Sequence, residues 1–401
     1  MLQRVFKAFH YRDFRLMFMG ACVSSIGTWM QNLAQAWLVL DISKSPFYLG
    51  LDAFLAGIPI FFFSLVGGVV ADRVERRKVL LVSQYIQMGS AFLLTLLILL
   101  KAVHIWEILC LSFVVGLAQS FGGPAYSALL PTLVSKEDIP NAIAMNSIQF
   151  NVARVLGPAL GGLALERLGA VWCFGLNGLS FLAPVISLTV LTTRFLPEKT
   201  TESMFASMKQ GFRFIRHQGA MEGLVVLGFL VTALGIPMTT FLPVFAKDIF
   251  HGGPGTFTLF LCASGGGAVV GGLAVAFLGN IRNKGRMALS MLALSGAAIS
   301  GFAICRSVPV SCVLLFLGGV SLMTVFTNIF SLVQLITSNE MRGRVVSVYN
   351  TAFRGGMPMG NLVTGWLVPM FTAPVVLAVN GLLLVLLGLY FLFVERKVAA
   401  L

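Results

Sequence analysis

The stretch Gly68-Val-Val-Ala71-Asp72-Arg73-Val-Glu75-Arg76-Arg77-Lys78 places a dense group of charges between two long apolar runs. The run before it covers residues 46–71, and the run after it covers residues 78–101. Each run has the roughly 20 apolar residues that a helix needs to cross a membrane. The stretch therefore predicts a tight, charged turn between two membrane-spanning helices.

The composition extends this interpretation to the whole chain. Of the 401 residues, 57% are hydrophobic and only 11% are Asp, Glu, Lys or Arg, whereas a soluble domain has about 25% charged residues. So little charge cannot cover a surface that faces water. This excludes soluble enzymes, disordered regulators and disulfide-rich scaffolds, and it indicates a polytopic membrane protein.

Twelve apolar runs are long enough to span a membrane as helices. They are too long for the strands of a membrane β-barrel, and they do not alternate between apolar and polar residues. The sequence therefore predicts an all-α membrane protein with twelve transmembrane helices. The predicted spans cover residues 14–40, 46–71, 78–101, 106–131, 140–165, 171–193, 219–246, 255–279, 286–305, 308–334, 344–369 and 371–394.

The positions of Lys and Arg predict the orientation. With a cytoplasmic N-terminus, most of the 28 Lys and Arg fall in cytoplasmic segments, where membrane proteins keep an excess of positive charge. We therefore expect a multi-pass inner (plasma) membrane protein with both termini in the cytoplasm. The net charge of +13 follows from this bias, so we expect no nucleic-acid partner. The cations on the opposite side are Lys44, Lys101, Arg167, Lys247 and Arg306.

The longest polar connection, 194–218, divides the spans into six plus six. Its apolar and basic residues fall on opposite helical faces, which predicts a short amphipathic helix at the inner membrane interface. We predict an N-terminal six-helix bundle over 1–193, a cytoplasmic linker over 194–218 and a C-terminal six-helix bundle over 219–401. The two faces of the linker helix comprise Phe205, Met208, Phe212 and Ile215, and Lys209, Arg213 and Arg216.

The two halves carry related sequences. Arg154 precedes Pro158 in span five, and Arg354 precedes Pro358 in span eleven, about 200 residues later. Two parallel six-helix repeats with a substrate site at their interface are a known plan for transporters. The repeat therefore favours a transporter. A similar offset relates Gly67-Gly68 to Gly271-Gly272 and Glu137 to Glu340.

The charged turn resembles the G-x-x-A-D-R-x-G-R-R/K signature of the major facilitator superfamily, with Glu75 in place of the usual second glycine. The resemblance covers all twelve spans and implies a major facilitator fold of two pseudo-symmetric six-helix bundles. The chain is most similar to the branch of enterobactin exporters and macrolide or multidrug efflux proteins. Three stretches carry that similarity: Gly123-Pro124-Ala125 with Leu130-Pro131, Asn146-Ser147 with Ala153 to Gly162, and Met341-Arg342-Gly343-Arg344-Val345.

The same resemblance implies that the charged turn is a conformational latch. In the outward-open state, Asp72 and Arg73 would hold the cytoplasmic side closed, with Asp72 near the cytoplasmic end of span eleven. The alternative is a basic turn that only fixes the topology. The residues assigned to the latch are Gly68, Asp72, Arg73, Arg76 and Arg77.

Span five contains a G-P-x-x-G-G motif. Proline bends a helix because it lacks a backbone donor, and glycine lets another helix approach closely. The resemblance implies an antiporter-like element in which span five packs on the glycines of span eight at 265–267 and 271–272. Simple close packing is the alternative. The motif comprises Gly157, Pro158, Gly161 and Gly162.

Arg154 and Arg354 are charges inside spans, with no acid at a matching depth. Such charges are costly and tend to face a cavity or a partner. One interpretation is attraction of an anionic group on a substrate. The other is hydrogen bonding to carbonyls or to side chains such as Asn151 and Asn350.

Other polar residues in the spans suggest a path for substrate and protons. The resemblance places spans one, four, seven and ten around the cavity, where we expect Gln31, Gln35, Gln119 and Asn328, although interhelical hydrogen bonds are common for such residues. Two acids are candidates for proton coupling, and both lie close enough to an interface to be merely solvated. They are Asp52, near the outer end of span two, and Glu222, near the inner end of span seven.

These observations together predict a secondary active transporter. The chain has no Walker loop, metalloprotease helix motif or Ser/His/Asp grouping, so we expect neither catalytic residues, cofactor nor metal site. The first hypothesis is export of an amphipathic small molecule, such as a drug or a siderophore, by a monomer that uses proton antiport and alternating access. The alternatives are a lipid or lysolipid transporter, an importer, or a non-transporting receptor on the same scaffold.

Overall fold

The computed structural model describes residues 6–192, 210, 212–216, 218–279 and 283–401. In those residues the regular structure is helical, without strands. Most of the predicted linker lies outside the described residues, so its amphipathic helix stays a prediction. The residues named above that lie outside are Phe205, Met208 and Lys209.

Within the described part of the chain, twelve long helical stretches follow one another. Ten are long and apolar enough to cross a membrane, and the other two, α1 and α11, have 32 and 30 residues. The predicted all-α fold is confirmed, and twelve spans are consistent with these lengths. The helices are α1 Arg12–Ser43, α2 Pro46–Arg73, α3 Arg76–Leu99, α4 Ile105–Leu129, α5 Ile139–Arg167, α6 Ala170–Val190, α7 Gly219–Ile249, α8 Pro254–Leu278, α9 Lys284–Ile304, α10 Val308–Ile336, α11 Arg342–Phe371 and α12 Ala373–Phe393.

Proline shapes the helices in two ways. Pro254 lies in the first turn of α8, where the missing N–H has no intrahelical partner to lose. Inside α7, Pro237 and Pro243 interrupt the regular hydrogen bonding, and the last turn, Phe245–Ile249, is a π-helix. This behaviour is expected because proline cannot donate to the residue four positions earlier. The C-terminal part of α7 is therefore built from short helical segments.

The helices form two compact units. The first unit comprises Met1–Ile42 and Ile58–Thr201, and the second comprises Ser43–Gly57 and Glu202–Leu401. Helix α2 thus contributes its first part to the second unit, and Pro59 lies inside the helix just after that boundary. The three-part division inferred from the sequence remains a proposal.

Glycine contacts hold the first unit together. A Cβ atom added to Gly157 on α5 would lie 2.8 Å from the carbonyl oxygen of Ile26 on α1, and one on Gly161 would lie 2.8 Å from Met30 Cγ. On α2, a Cβ added to Gly67 would lie 3.0 Å from Phe121 Cα on α4. Such short distances leave no room for a side chain. Glycine is therefore required for helices to approach this closely.

The second unit repeats these contacts. Gly356 and Gly360 on α11 lie against α7, where a Cβ added to Gly360 would lie 2.6 Å from Ala233 Cα. On α8, a Cβ added to Gly271 would lie 3.0 Å from Val320 Cα on α10. Helix α11 thus packs on α7 as α5 packs on α1, and α8 packs on α10 as α2 packs on α4. The internal repeat seen in the sequence therefore recurs in the packing.

Substitution of Gly161 by Leu tests the contact between α5 and α1. The added side chain has to displace Met30 and the backbone of α1, and overpacking of this kind costs about 1–3 kcal/mol. We expect a lower midpoint of thermal unfolding for the purified protein in detergent. The matched control is Gly89→Leu on α3, because no described atom lies within 4 Å of a Cβ at Gly89. Equal midpoints for the two variants would contradict the packing argument.

Candidate functional site

Arg76 anchors the charged turn between α2 and α3. Its Nη2 lies 3.9 Å from Asp72 Oδ1, and its Nη1 donates a hydrogen bond of 2.9 Å to the carbonyl oxygen of Ala128. Its Nε donates to the carbonyl oxygen of Ala71 at 3.3 Å. Ala128 lies in the last turn of α4, where carbonyl groups lack intrahelical donors. Arg76 therefore ties the turn to the end of α4.

Arg77 ties the turn to the end of α6 in a similar way. Its Nη2 donates to the carbonyl oxygen of Thr189 at 2.6 Å, and its Nη1 donates to that of Leu191 at 3.4 Å. A cation at the carboxyl end of a helix is also favoured by the helix dipole. The two arginines thus hold three helix ends together inside the first unit.

The remaining residues of the turn make fewer contacts with other helices. Arg73 is exposed, and Lys78 pairs with Glu75 at 3.3 Å. Glu75, the departure from the family signature, therefore gives Lys78 a partner that glycine would not supply. No described atom lies within 4 Å of a Cβ added to Gly68. The latch assigned to this turn stays a prediction, because these contacts all lie within the first unit.

The G-P-x-x-G-G motif is buried, but its partner differs from the expected one. Gly157 and Gly161 face α1, not the glycines of α8. Those glycines, represented by Gly267 and Gly271, face Phe316 and Val320 of α10. The expectation that these two sets of glycines pack on each other is therefore corrected: each set serves packing inside its own unit. Pro158 and Gly162 are also buried.

Arg154 is half-buried near the middle of the 29-residue helix α5. Its Cζ lies 5.8 Å from the ring centroid of Trp29, a cation–π distance. Trp29 in turn makes an edge contact with Phe150, with centroids 6.0 Å apart. Asn151 donates to the carbonyl oxygen of Ser147. Within the described residues, the guanidinium of Arg154 has neither an ion pair nor a hydrogen bond.

Arg354 occupies the related position on α11 and is exposed. It too lacks an ion pair or hydrogen bond among the residues that the structure describes. Its neighbour Phe353 contacts Phe326 at 5.0 Å and Tyr349 at 6.0 Å between ring centroids. In the part of the chain that the structure describes, each unit therefore combines a group of aromatic rings with one arginine that has no ion pair or hydrogen bond.

The four polar residues expected in the cavity all make hydrogen bonds. Gln31 Oε1 accepts from Asn177 on α6 at 2.6 Å. Asn328 is buried and donates to the carbonyl oxygen of Thr324 on its own helix. The geometry matches the interhelical alternative for the three glutamines, and cavity lining stays a prediction. The other two bonds join Gln35 to Ser112 and Gln119 to Gln87.

The two proton-coupling candidates have different surroundings. Asp52 is half-buried in α2, whereas Glu222 is exposed in the first turn of α7. A third acid, Asp13, is only 7% exposed, and its Oδ2 accepts hydrogen bonds from Thr192 Oγ1 at 2.9 Å and Thr192 N at 3.2 Å. Sequence reasoning missed it because the predicted span begins at residue 14. Helix α1 begins at Arg12, so Asp13 lies in its first turn and holds the end of α6.

Known proteins resemble this chain along nearly its whole length. A family model described as "Transmembrane secretion effector" matches residues 4–400. The chain belongs to the transmembrane secretion effector family. This confirms the resemblance to the major facilitator superfamily and to its exporter branch.

Curated relatives of this chain carry the name of an exporter. The enterobactin exporter EntS of Salmonella choleraesuis (strain SC-B67) is 28% identical over 384 residues, which cover 95% of this chain and 92% of the relative. EntS of Escherichia coli O9:H4 (strain HS) is 27% identical over 386 residues, covering 95% and 91%.

Two solved structures share the fold at low sequence identity. A point mutant of the nucleoside transporter NupG has a TM-score of 0.76 and 13% identity, covering 95% of this chain and 98% of that chain. A bacterial homologue of the human lysosomal transporter Spinster, inward-facing and unoccupied, has a TM-score of 0.75 and 14% identity, covering 96% of each chain. These likenesses confirm the fold.

Substitution of Arg76 by Gln tests the anchoring of the charged turn. Hydrogen bonds to a charged group contribute about 1.5–3 kcal/mol each, so we expect a clear fall in the midpoint of thermal unfolding. The matched control is Lys78→Gln, because an exposed ion pair such as Lys78–Glu75 contributes about 0–1 kcal/mol. If the control lowers the midpoint as much as Arg76→Gln, the anchoring role is wrong.

Proposed function

We propose that this protein is a secondary active transporter that exports an amphipathic small molecule of the drug or siderophore class by alternating access. The family description and the names of the EntS relatives support a transport role rather than catalysis. The apolar helices support a multi-pass protein of the inner membrane. The proposal includes a monomer with both termini in the cytoplasm, surrounded by the lipid bilayer.

The observation that carries the proposal is that, among the described residues, neither Arg154 nor Arg354 has an ion pair or a hydrogen bond. An arginine at the centre of a spanning helix costs about 2.5–3.5 kcal/mol on insertion scales. A cation–π contact, such as that of Arg154 with Trp29, offsets about 0.5–2 kcal/mol of this cost. The rest of the free-energy cost of burying the guanidinium must be offset by water in a polar path or by an anionic partner. We assign the partner to the substrate, whose negative group Arg154 would bind and whose aromatic part Trp29 would contact.

In the second unit, Arg354 and Phe353 form a pair related to Arg154 and Trp29. We propose that both arginines, with Gln31, Gln35, Gln119 and Asn328, belong to the substrate cavity. The hydrogen bonds of the glutamines are compatible with this role because an amide has donors and acceptors to spare. The charged turn is proposed to act as the latch, since its arginines already bind helix ends.

We propose proton antiport as the energy source, with Asp52 and Glu222 as coupling candidates. Of the two, Asp52 has the more protected surroundings. The exposed position of Glu222 favours a different role, because an acid in the first turn of a helix stabilises that helix through its dipole.

Uptake into inverted membrane vesicles tests export and its specificity. The panel comprises a catecholate siderophore, a macrolide, a cationic dye and a lysolipid, each with and without a proton gradient. We expect gradient-dependent uptake of an anionic amphipathic compound, reduced about tenfold or more by Arg154→Gln, because loss of a charged hydrogen bond costs about 1.5–3 kcal/mol. The control Arg306→Gln removes an exposed cation outside the substrate path and is expected to leave uptake unchanged.

The other outcomes of this assay discriminate the alternatives. Movement of lysolipid alone without a gradient would replace export of drugs or siderophores by lipid transport and would remove Asp52 and Glu222 as coupling sites. Loss of gradient dependence in Asp52→Asn, with uptake down the substrate's own gradient preserved, would support coupling at Asp52. No uptake of any compound would contradict the proposed substrate class and favour an importer or a receptor.

A further inference from the structure

A groove opens on the side of the first unit where α1, α5 and α6 meet. Its volume is about 450 Å³, within the range of about 300–1,000 Å³ typical of ligand sites. Its walls are aliphatic except for Arg167 at one end and Ser180 near the other. The principal lining residues are Val23, Met30, Leu160, Leu163, Leu176 and Ser180.

The groove is open to the surroundings of the protein. The side chains of Leu160 and Leu163 are each 50% exposed, and that of Leu168 is 56% exposed. Exposed aliphatic residues in the spanning part of a membrane protein face lipid. The groove is therefore a concavity in the lipid-facing surface, and Gly27 and Ala164 also line it.

The length of the groove matches one leaflet of the bilayer. On α6, the groove is lined by Leu176 and Ser180. Ser180 lies 10 residues after Ala170, the first residue of that helix, which corresponds to about 15 Å at 1.5 Å per residue. The hydrocarbon core is about 30 Å thick, so one leaflet has about half of that. The groove thus runs from the middle of the membrane to the surface where α5 ends.

Arg167 lies at the surface end of the groove, in the last turn of α5. It is exposed, and within the described residues it has neither an ion pair nor a hydrogen bond. The adjacent Glu166 does not line the groove, since consecutive residues of a helix point about 100° apart. A long cationic side chain at a helix end reaches into the headgroup region. The groove therefore has an apolar body and a positive mouth.

We propose that this groove binds one acyl chain of an anionic phospholipid of the outer leaflet, with the lipid phosphate at Arg167. The shape fits a chain that enters from the headgroup level and ends near the membrane centre. The single cation at the mouth favours an anionic headgroup over a zwitterionic one. The site lies entirely within the first unit, and it does not depend on the transported substrate.

Native mass spectrometry of the purified full-length protein in detergent tests this site. The probes are dioleoylphosphatidylglycerol and dioleoylphosphatidylcholine, added separately. We expect the wild type to bind the anionic lipid about fivefold more tightly, since one Arg near an anionic lipid surface contributes about 1 kcal/mol. Arg167→Gln should abolish this preference. The matched control Lys101→Gln, which removes an exposed cation from the same side, should keep it.

A second variant tests the apolar body of the groove. Ala164→Phe places a ring in the groove and is expected to weaken binding of both lipids, while the midpoint of thermal unfolding reports whether the variant is folded. Equal binding of the two lipids by the wild type would overturn the proposal. An equal loss of the preference for the anionic lipid in Arg167→Gln and Lys101→Gln would also overturn it. Undiminished lipid binding by a folded Ala164→Phe variant would do the same.

Discussion

Close approach of helix backbones at glycine is the constraint on which both units depend. Lipid tails are as apolar as leucine, so helices in a bilayer gain little from hydrophobic contact and associate through close packing and hydrogen bonds. Gly157 and Gly161 let α5 lie on α1, and Gly356 and Gly360 let α11 lie on α7. Because the same contacts recur about 200 residues later, one packing scheme builds both units.

This packing also positions the functional groups. Gly157 lies against Trp29 of α1, and Arg154, one turn earlier on α5, lies over the ring of the same tryptophan. The contact that brings α5 onto α1 therefore also brings the arginine to its aromatic neighbour. The charged turn closes one end of the unit, where Arg76 and Arg77 bind the ends of α4 and α6.

Much of the fold could be predicted from the sequence, because apolar length is a direct signal of a spanning helix. The sequence predicts span five at 140–165, and the helix covers Ile139–Arg167. The partners of each helix were harder to predict. A glycine motif has the same appearance whichever helix it faces, so the sequence does not distinguish α8, the expected partner of Gly157 and Gly161, from α1, the observed one.

Polar residues were the least predictable part of the site. Gln31, in a span that lines the cavity by resemblance, is bonded to Asn177 of α6, a residue far away in the sequence. The role of Asp13 was not predictable because a single acid before an apolar run resembles an ordinary loop residue. Such pairings depend on three-dimensional neighbours that one sequence does not specify.

We propose above all that Arg154 binds an anionic group of the substrate. The most direct test is equilibrium binding, by calorimetry on purified protein, of a dihydroxybenzoyl amino acid and its methyl ester, which differ by one negative charge. We expect the wild type to bind the acid about tenfold or more tightly than the ester, a difference of about 1.4 kcal/mol, and Arg154→Gln to bind both equally. An unchanged preference in Arg154→Gln, or none in the wild type, would contradict it.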